Sequence, residues 1–229
     1  MNTVIVIAAH PDDEVLGCGG TIAKHVRDGD EVHVLILAEG ITSRDATRDH
    51  EGRFDDIVSL RNMANEAHKI LGSNSINLMD FPDNRMDSVD LLDIIKVVEN
   101  EINKRKPEII YTHHSNDLNI DHCITNQAVF TACRPQPDTT VKKIYCFEVP
   151  SSTEWQSPMA EGAFMPNTFV NISDTLVKKL EALKAYKSEM KLWPHSRSIK
   201  AVEHLSCWRG ASVGFEAAEA FMLTRNLIK

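Results

Sequence analysis

Four residues near the start of the chain, His10-Pro11-Asp12-Asp13, place one imidazole and two carboxylates within a single turn. A neutral imidazole and a carboxylate are both good zinc donors, which makes His10 and Asp13 candidate ligands. Asp12 stands between them and can take a proton from water without touching the metal. Pro11 fixes φ and stiffens the turn that presents them. These residues also have ordinary uses, since an Asp here can cap the following helix and His10 can be a hydrogen-bonded loop residue. A metal needs a further ligand, and the second dense patch, His113-His114-Ser115-Asn116-Asp117-Leu118-Asn119-Ile120-Asp121-His122, offers one. His10, Asp13 and His122 with a fourth position open would form a catalytic rather than a structural metal site. Asp121 or Asp117 can orient an imidazole from behind.

The surrounding elements must bring the two patches together. Val4–Ala9 is a continuous apolar run rich in β-branched residues, the pattern of a strand buried on both faces. The polar cluster lies at its C-terminal end, and an apolar-periodic helix follows (Val15, Leu16, Ile22, Ala23, Val26). Further strands are expected at 31–37, 76–80, 108–112 and 143–149, separated by helices at 55–71, 88–104 and 121–133. Gly72 reads as the residue that closes the first of these helices. The 88–104 helix carries an apolar stripe of Leu91, Leu92, Ile95, Val98 and Ile102. A short strand (168–172), two helices (174–190, 198–208) and a final segment near 220–224 complete the chain. Residues 40–54 and 150–166 lack periodicity, and are expected to form a mobile or functional flap and a wall of the pocket.

Strands alternating with helices specify an α/β fold with a mainly parallel sheet. Ligands in such sheets bind beyond the C-terminal strand ends. His10 to Asp13, Glu39, Asp83 to Arg85, His113, His114 and Glu148 all follow strand ends, so one shared site is expected.

With 229 residues the chain is long enough to bury a sizeable core and is expected to form one domain. A formal charge of −8 argues against a nucleic-acid backbone binder. Five dispersed cysteines give neither a disulfide framework nor a Cys zinc site, and point to reduced thiols. No run approaches the ~18 apolar residues of a membrane span, and no leader pattern precedes the first strand. A cytoplasmic location is the expectation. Gly17-x-Gly19-Gly20 does not make the dinucleotide-binding fingerprint, which removes the simplest nucleotide-binding alternative.

His10-Pro11-Asp12-Asp13-Glu14 with Gly17-Cys18-Gly19-Gly20 resembles the first motif of the PIG-L (LmbE-like) deacetylases. Asp117-Leu118-Asn119-Ile120-Asp121-His122 is similar to their second motif. The resemblance extends through Trp193–Ser198 and Arg209–Gly214 to Ala218–Phe221 and covers essentially the full length. It implies a Rossmann-like three-layer α/β fold, zinc held by His10, Asp13 and His122, and Asp12 as general base. It also implies hydrolysis of the N-acetyl amide of an N-acetylglucosamine-type sugar, a nucleotide sugar or a small glycoside. A thiol-sugar conjugate or another N-acyl compound is the alternative substrate, and assembly into a homo-oligomer is expected. The chain departs from the family where many members carry a second-motif His that assists the oxyanion or the leaving amine, because that position is Asn119. Either Asn119 supplies a neutral hydrogen bond, or His113 or His114 substitutes, the histidines being preferred. For substrate, Asn84 and Arg85 could bind sugar hydroxyls or a phosphate, Arg53 and Arg61 a diphosphate, and Trp155 the face of a pyranose. An ordinary turn and solvated ion pairs are the competing uses of these polar residues.

Overall fold

A computed structural model describes residues 1–157 and 162–228. The chain runs β1 (Thr3–Ala8), α1 (Asp13–Arg27), β2 (Glu31–Ala38), α2 (Phe54–Leu71), β3 (Ser75–Phe81), α3 (Leu91–Arg105), β4 (Ile109–His113), α4 (Ile120–Ala132) and β5 (Lys143–Phe147). It ends with β6 (Thr168–Asn171), α5 (Leu176–Ala185), α6 (Ile199–Ala211) and β7 (Ala218–Asn226). The sheet order is β3-β2-β1-β4-β5-β7-β6. The first five strands are parallel, and β7 runs antiparallel between β5 and β6.

The alternation within β1 decides which layer each side chain joins. Val4, Val6 and Ala8 pack with residues of α1, α2 and α5, while Ile5 and Ile7 pack with residues of α3 and α4. This is a three-layer α/β sandwich, as the strand–helix alternation requires. Burial on both faces is why β1 reads as an unbroken apolar run and β2 as one interrupted only by His33. The order reverses between β1 and β4, the point at which open α/β sheets bind ligands in a crevice beyond the strand ends. The two polar patches of the sequence lie on either side of it.

Several local expectations are corrected. Leu91, Ile95, Val98 and Ile102 of the expected α3 stripe pack on the core together with Ile94, whereas Leu92 is 60% exposed because it lies about 100° round the helix from Leu91. The helix expected over 174–190 stops at Ala185, and the following residues fold back over the crevice. Residues 40–54 carry ion pairs from Arg48 to Glu39 and from Arg53 to Asp45, and Ser43 and Arg44 of this loop line the crevice. Within 150–166, a short 3-10 turn forms at Thr153–Trp155, and 158–161 lie outside the described residues. Gly72 does close α2, in the left-handed conformation at φ 86°. Among the described residues no helix is long and apolar enough to cross a membrane.

The glycine run in α1 serves packing. A Cβ on Gly17 would collide with the Phe147 ring, and one on Gly20 would lie 2.7 Å from Ile172. α1 is also broken at Cys18, where φ is −146°. The break frees backbone groups that remote, buried side chains satisfy. Glu219 accepts from the amides of Gly20 (2.9 Å) and Thr21 (2.6 Å), and Lys179 donates to the Leu16 carbonyl (2.8 Å) and to Glu219 (2.6 Å). Removing one member of a buried ion pair leaves an uncompensated charge. Glu219→Ala is therefore expected to destabilise the fold by about 3–5 kcal/mol, read as a shift of the urea unfolding midpoint. An unchanged midpoint would contradict this role.

Candidate metal centre

His10 leaves the end of β1 and Asp13 opens α1, so their side chains are one helical turn apart. His122 sits in the first turn of α4, whose N-cap is Asn119, with its side chain accepting from the Asp121 amide at 2.9 Å. Asp13 Oδ2 lies 3.2 Å from His10 Nδ1 and 3.1 Å from His122 Nε2. The donor atoms of these three residues fall within 4.8 Å of one another, close enough to share one ion.

The opposite ring nitrogens are held from behind. His10 Nε2 meets Asp121 at 3.0 Å and Asp83 at 3.2 Å, while His122 Nδ1 meets Asp117 at 3.2 Å. Such carboxylate–imidazole pairs orient metal-binding histidines. Asp121 is itself fixed by the amides of Asn84 (2.6 Å) and Met86 (3.0 Å). Asp117 accepts from the hydroxyls of Ser152 and Thr153 and from the Asn119 amide. His10, Asp83 and Asp121 also make a three-donor group, but its two carboxylates are occupied by backbone donors, Asp121 by the Asn84 and Met86 amides and Asp83 by the Ser43 amide at 3.0 Å.

Burial opposes charge on His10, but hydrogen bonds from Asp121, Asp13 and Asp83 outweigh it and raise its pKa well above the ordinary value. Burial likewise opposes charge on His122, yet Asp13 and Asp117 raise it to about 9. Asp13 resists its own burial through His122 and His10 and is held well below the usual carboxylate range. Burial also opposes the charge on Asp83, but the His10 contact lowers it to about 2. The pocket is thus built to hold positive charge among carboxylates, which is what a divalent cation supplies.

Asp12 faces the same cavity with only 2% of its surface exposed. Its backbone has φ 110°, a left-handed conformation that strains any residue with a Cβ. Glu14 holds it there by accepting the Asp12 amide at 3.1 Å, and is itself fixed by His68 (3.0 Å) and Tyr186 (2.7 Å). Burial pushes the Asp12 carboxyl well up; Arg197 pulls against this, and Asp13, Glu189 and Glu14 add to it. Arg197 Nη1 lies 3.2 Å from Asp12 Oδ2.

The cavity is about 160 Å³ and is walled by Ser43, Arg44, Asp83, Asn84, Asn119, Ser151, Ser152, Glu189 and Arg197 around the central residues. Of the sequence candidates, His10, Asp12, Asp13, Asn84, Asn119 and His122 line it. His113 does not. Its ring is fully buried, its Nε2 accepts from the Ala9 amide at 2.8 Å, and it stacks on His122 with centroids 3.9 Å apart. Burial and the neighbouring His122 hold it neutral. His114 turns away and donates to the Gly162 carbonyl at 2.9 Å. Neither ring lines the cavity, so the geometry does not favour a histidine as the substitute.

Arg53 is gripped by Asp45 (2.6 and 2.7 Å) and Asp56, and Arg61 by Asp80, in both cases outside the cavity. Arg85 holds the Ala46 carbonyl at 3.1 Å and lines a neighbouring groove. Trp155 is half exposed, edge-on to His195 with centroids 5.7 Å apart, rather than in the cavity wall. Sequence reasoning left Glu189 and Arg44 unassigned. They join across the mouth, Arg44 Nη2 donating to both carboxylate oxygens of Glu189 at 2.7 and 2.9 Å, and so link the loop after β2 to the segment after α5. The sequence signal for that segment is its polarity, since His195, Ser196 and Arg197 follow one another without an apolar residue.

The three-layer α/β fold thus carries a His-Asp-His cluster and a buried carboxylate at the point where the strand order reverses. Residues 5–133 match the family described as PIG-L, GlcNAc-PI de-N-acetylase, and the chain belongs to that family. It is 31% identical over 191 residues to the uncharacterized deacetylase YaiS of Escherichia coli, covering 81% of this chain and 90% of that protein. It is 28% identical over 217 residues to the diacetylchitobiose deacetylase of Thermococcus kodakarensis, covering 86% and 75% of the two chains. Its fold matches that of GalB, the 4-carboxy-2-hydroxymuconate hydratase of Pseudomonas putida, with a TM-score of 0.79 at 22% identity, covering 100% and 98% of the chains.

Proposed function

We propose that this protein is a zinc-dependent N-deacetylase acting on an N-acetylglucosamine-type sugar or small glycoside. The observation that carries the reading is Asp12, a strained and buried carboxylate beside three converging metal donors but outside their set. His10 Nδ1, Asp13 and His122 Nε2 would hold the ion. A bound divalent cation would bring the pKa of water near 7 and polarise the acyl oxygen.

The chain's own residues do the rest. Asp12 takes a proton from the attacking water as the new C–O bond forms, then returns it to nitrogen as the C–N bond breaks. Acetate and the free amine are the products. A carboxyl whose pKa is raised by burial is suited to both transfers near neutral pH. Asp117, Asp121 and Asp83 hold the imidazoles in place, and the small cavity favours a compact acyl group. A thiol-sugar conjugate or another N-acyl compound is the second reading, favoured by the same residues with a different group beyond the amide.

The test is amine release by zinc-loaded protein from N-acetylglucosamine, N,N′-diacetylchitobiose, a UDP conjugate and an N-acetylglucosaminyl thioglycoside. Release from at least one supports the reading. No release from any of them would remove the N-acetyl sugar assignment.

A further inference from the structure

Amide hydrolysis needs a donor for the oxyanion as well as a base, and the second-motif position that often supplies one is Asn119 here. The Asn119 side chain is committed on both sides, its oxygen to the Asp121 amide and its nitrogen to Asn84 Oδ1 at 2.8 Å. Neither His113 nor His114 reaches the cavity. Two cations do line it. Arg44 engages a single partner, Nη2 donating to both oxygens of Glu189 at the mouth, and its side chain is 45% exposed.

Arg197 differs on each count. Its side chain is 24% exposed and lines the cavity beside the metal donors. Nε donates to Ser151 Oγ at 2.9 Å, and Nη1 reaches the base itself. Nη2 has no hydrogen-bond acceptor among the described residues. The loop that carries it is pinned at both ends. Tyr186 bonds Glu14, the Lys191 amide bonds the Arg197 carbonyl at 3.1 Å, and Ser198 caps α6 through the Ala201 amide at 3.1 Å. A guanidinium fixed by two of its nitrogens, with the third free, is preorganised to meet developing negative charge.

The geometry points to Arg197 as a catalytic residue, its guanidinium donating to the oxyanion of the tetrahedral intermediate in place of the missing histidine. This inference rests on the deacetylase reading above. The residue comes from a segment distant in sequence from both motifs, so the site is completed only when the chain after α5 folds back over the crevice. No new bond is asked of Arg197. The acyl oxygen gains charge as water adds, the guanidinium donates a hydrogen bond to it, and the charge returns to the carbonyl as the amine leaves.

Loss of one such donor lowers turnover by about 10²–10³-fold. Arg197→Gln in zinc-loaded protein is expected to lower kcat by that factor with KM changed less than about threefold. Arg197→Lys should recover part of the loss, and added guanidinium ion should partly rescue Arg197→Gln. Methylphosphonate, a tetrahedral anion, provides a readout independent of turnover. Its affinity for the zinc-loaded protein, measured by calorimetry, should fall at least tenfold in Arg197→Gln at unchanged zinc content. A kcat within threefold of wild type, a loss confined to KM, or unaltered methylphosphonate affinity would overturn the proposal. The last outcome would mean that Arg197 merely positions Asp12. Wild-type protein that releases no amine, while its methylphosphonate affinity still drops in Arg197→Gln, upholds the anion contact and overturns only the deacetylase reading.

Discussion

Asp12→Ala is expected to lower turnover by about 10²–10⁴-fold while leaving zinc content and the cavity intact. Asp12 is outside the donor set of His10, Asp13 and His122, so its loss removes the proton carrier but no ligand. Asp12→Asn should behave alike, because the amide keeps the shape and cannot accept the proton. The backbone adds a second expectation. At φ 110° a Cβ is strained by about 1–3 kcal/mol, and only glycine relieves it. Asp12→Gly should therefore be as inactive as Asp12→Ala but more stable in urea by about that amount. An alanine variant with full turnover would remove the proposed mechanism. A glycine variant no more stable than the alanine one would show that Glu14 and its partners, rather than strain, set the energy of this turn.

Metal uptake by metal-free protein at pH 7 is expected to release about two protons per ion. His10 and His122 both have raised pKa values in the folded chain, so without metal both imidazoles are charged at neutral pH. Both must give up the proton on the coordinating nitrogen. The metal-free fold has the opposite pH dependence to the loaded one. Charged His122 contributes stability that is fully present below its unfolded pKa of 6.5 and is lost as pH rises through about 9. The difference corresponds to on the order of 3 kcal/mol from this residue. Thermal melts of metal-stripped protein should fall in Tm between pH 6.5 and 9, while the rise in Tm on adding zinc should grow over the same range. Proton release is read by calorimetry in buffers of different ionisation enthalpy. Uptake without proton release, or a metal-free Tm flat with pH, would contradict the charged imidazoles.

How far the sequence exposes this arrangement differs by element. β1 is legible because it is buried on both faces, so its apolar run is unbroken and its end is marked by a sudden polar cluster. The position of that cluster at a parallel strand end, with a second cluster after β4, is enough to bring His10, Asp13 and His122 together once the sheet reverses between these strands. The roles of the arginines are less legible because each depends on a partner far along the chain. Arg61 bonds Asp80 and Arg85 bonds the Ala46 carbonyl, and spacing does not reveal such pairs. Arg197 enters the cavity from a loop with no periodic pattern, 185 residues from the carboxylate it meets. His113 misled for a related reason. A histidine at a strand end beside the second motif looks catalytic, but the alternation of the strand turns it inward, where it supports His122 by stacking. On α3 the residues Leu91, Ile95, Val98 and Ile102 pack inward as their spacing requires, and Leu92 points to solvent because adjacent residues on a helix diverge by about 100°.

The central claim is that one ion held by His10, Asp13 and His122 enables the hydrolysis for which Asp12 carries the proton. It is tested most directly by titrating zinc into metal-stripped protein and following amine release from the best N-acetyl sugar substrate. Turnover is expected to rise linearly and level at about one zinc per chain, with no rise for His122→Ala. Full turnover in stripped protein, or activation of His122→Ala at the same stoichiometry, would contradict it.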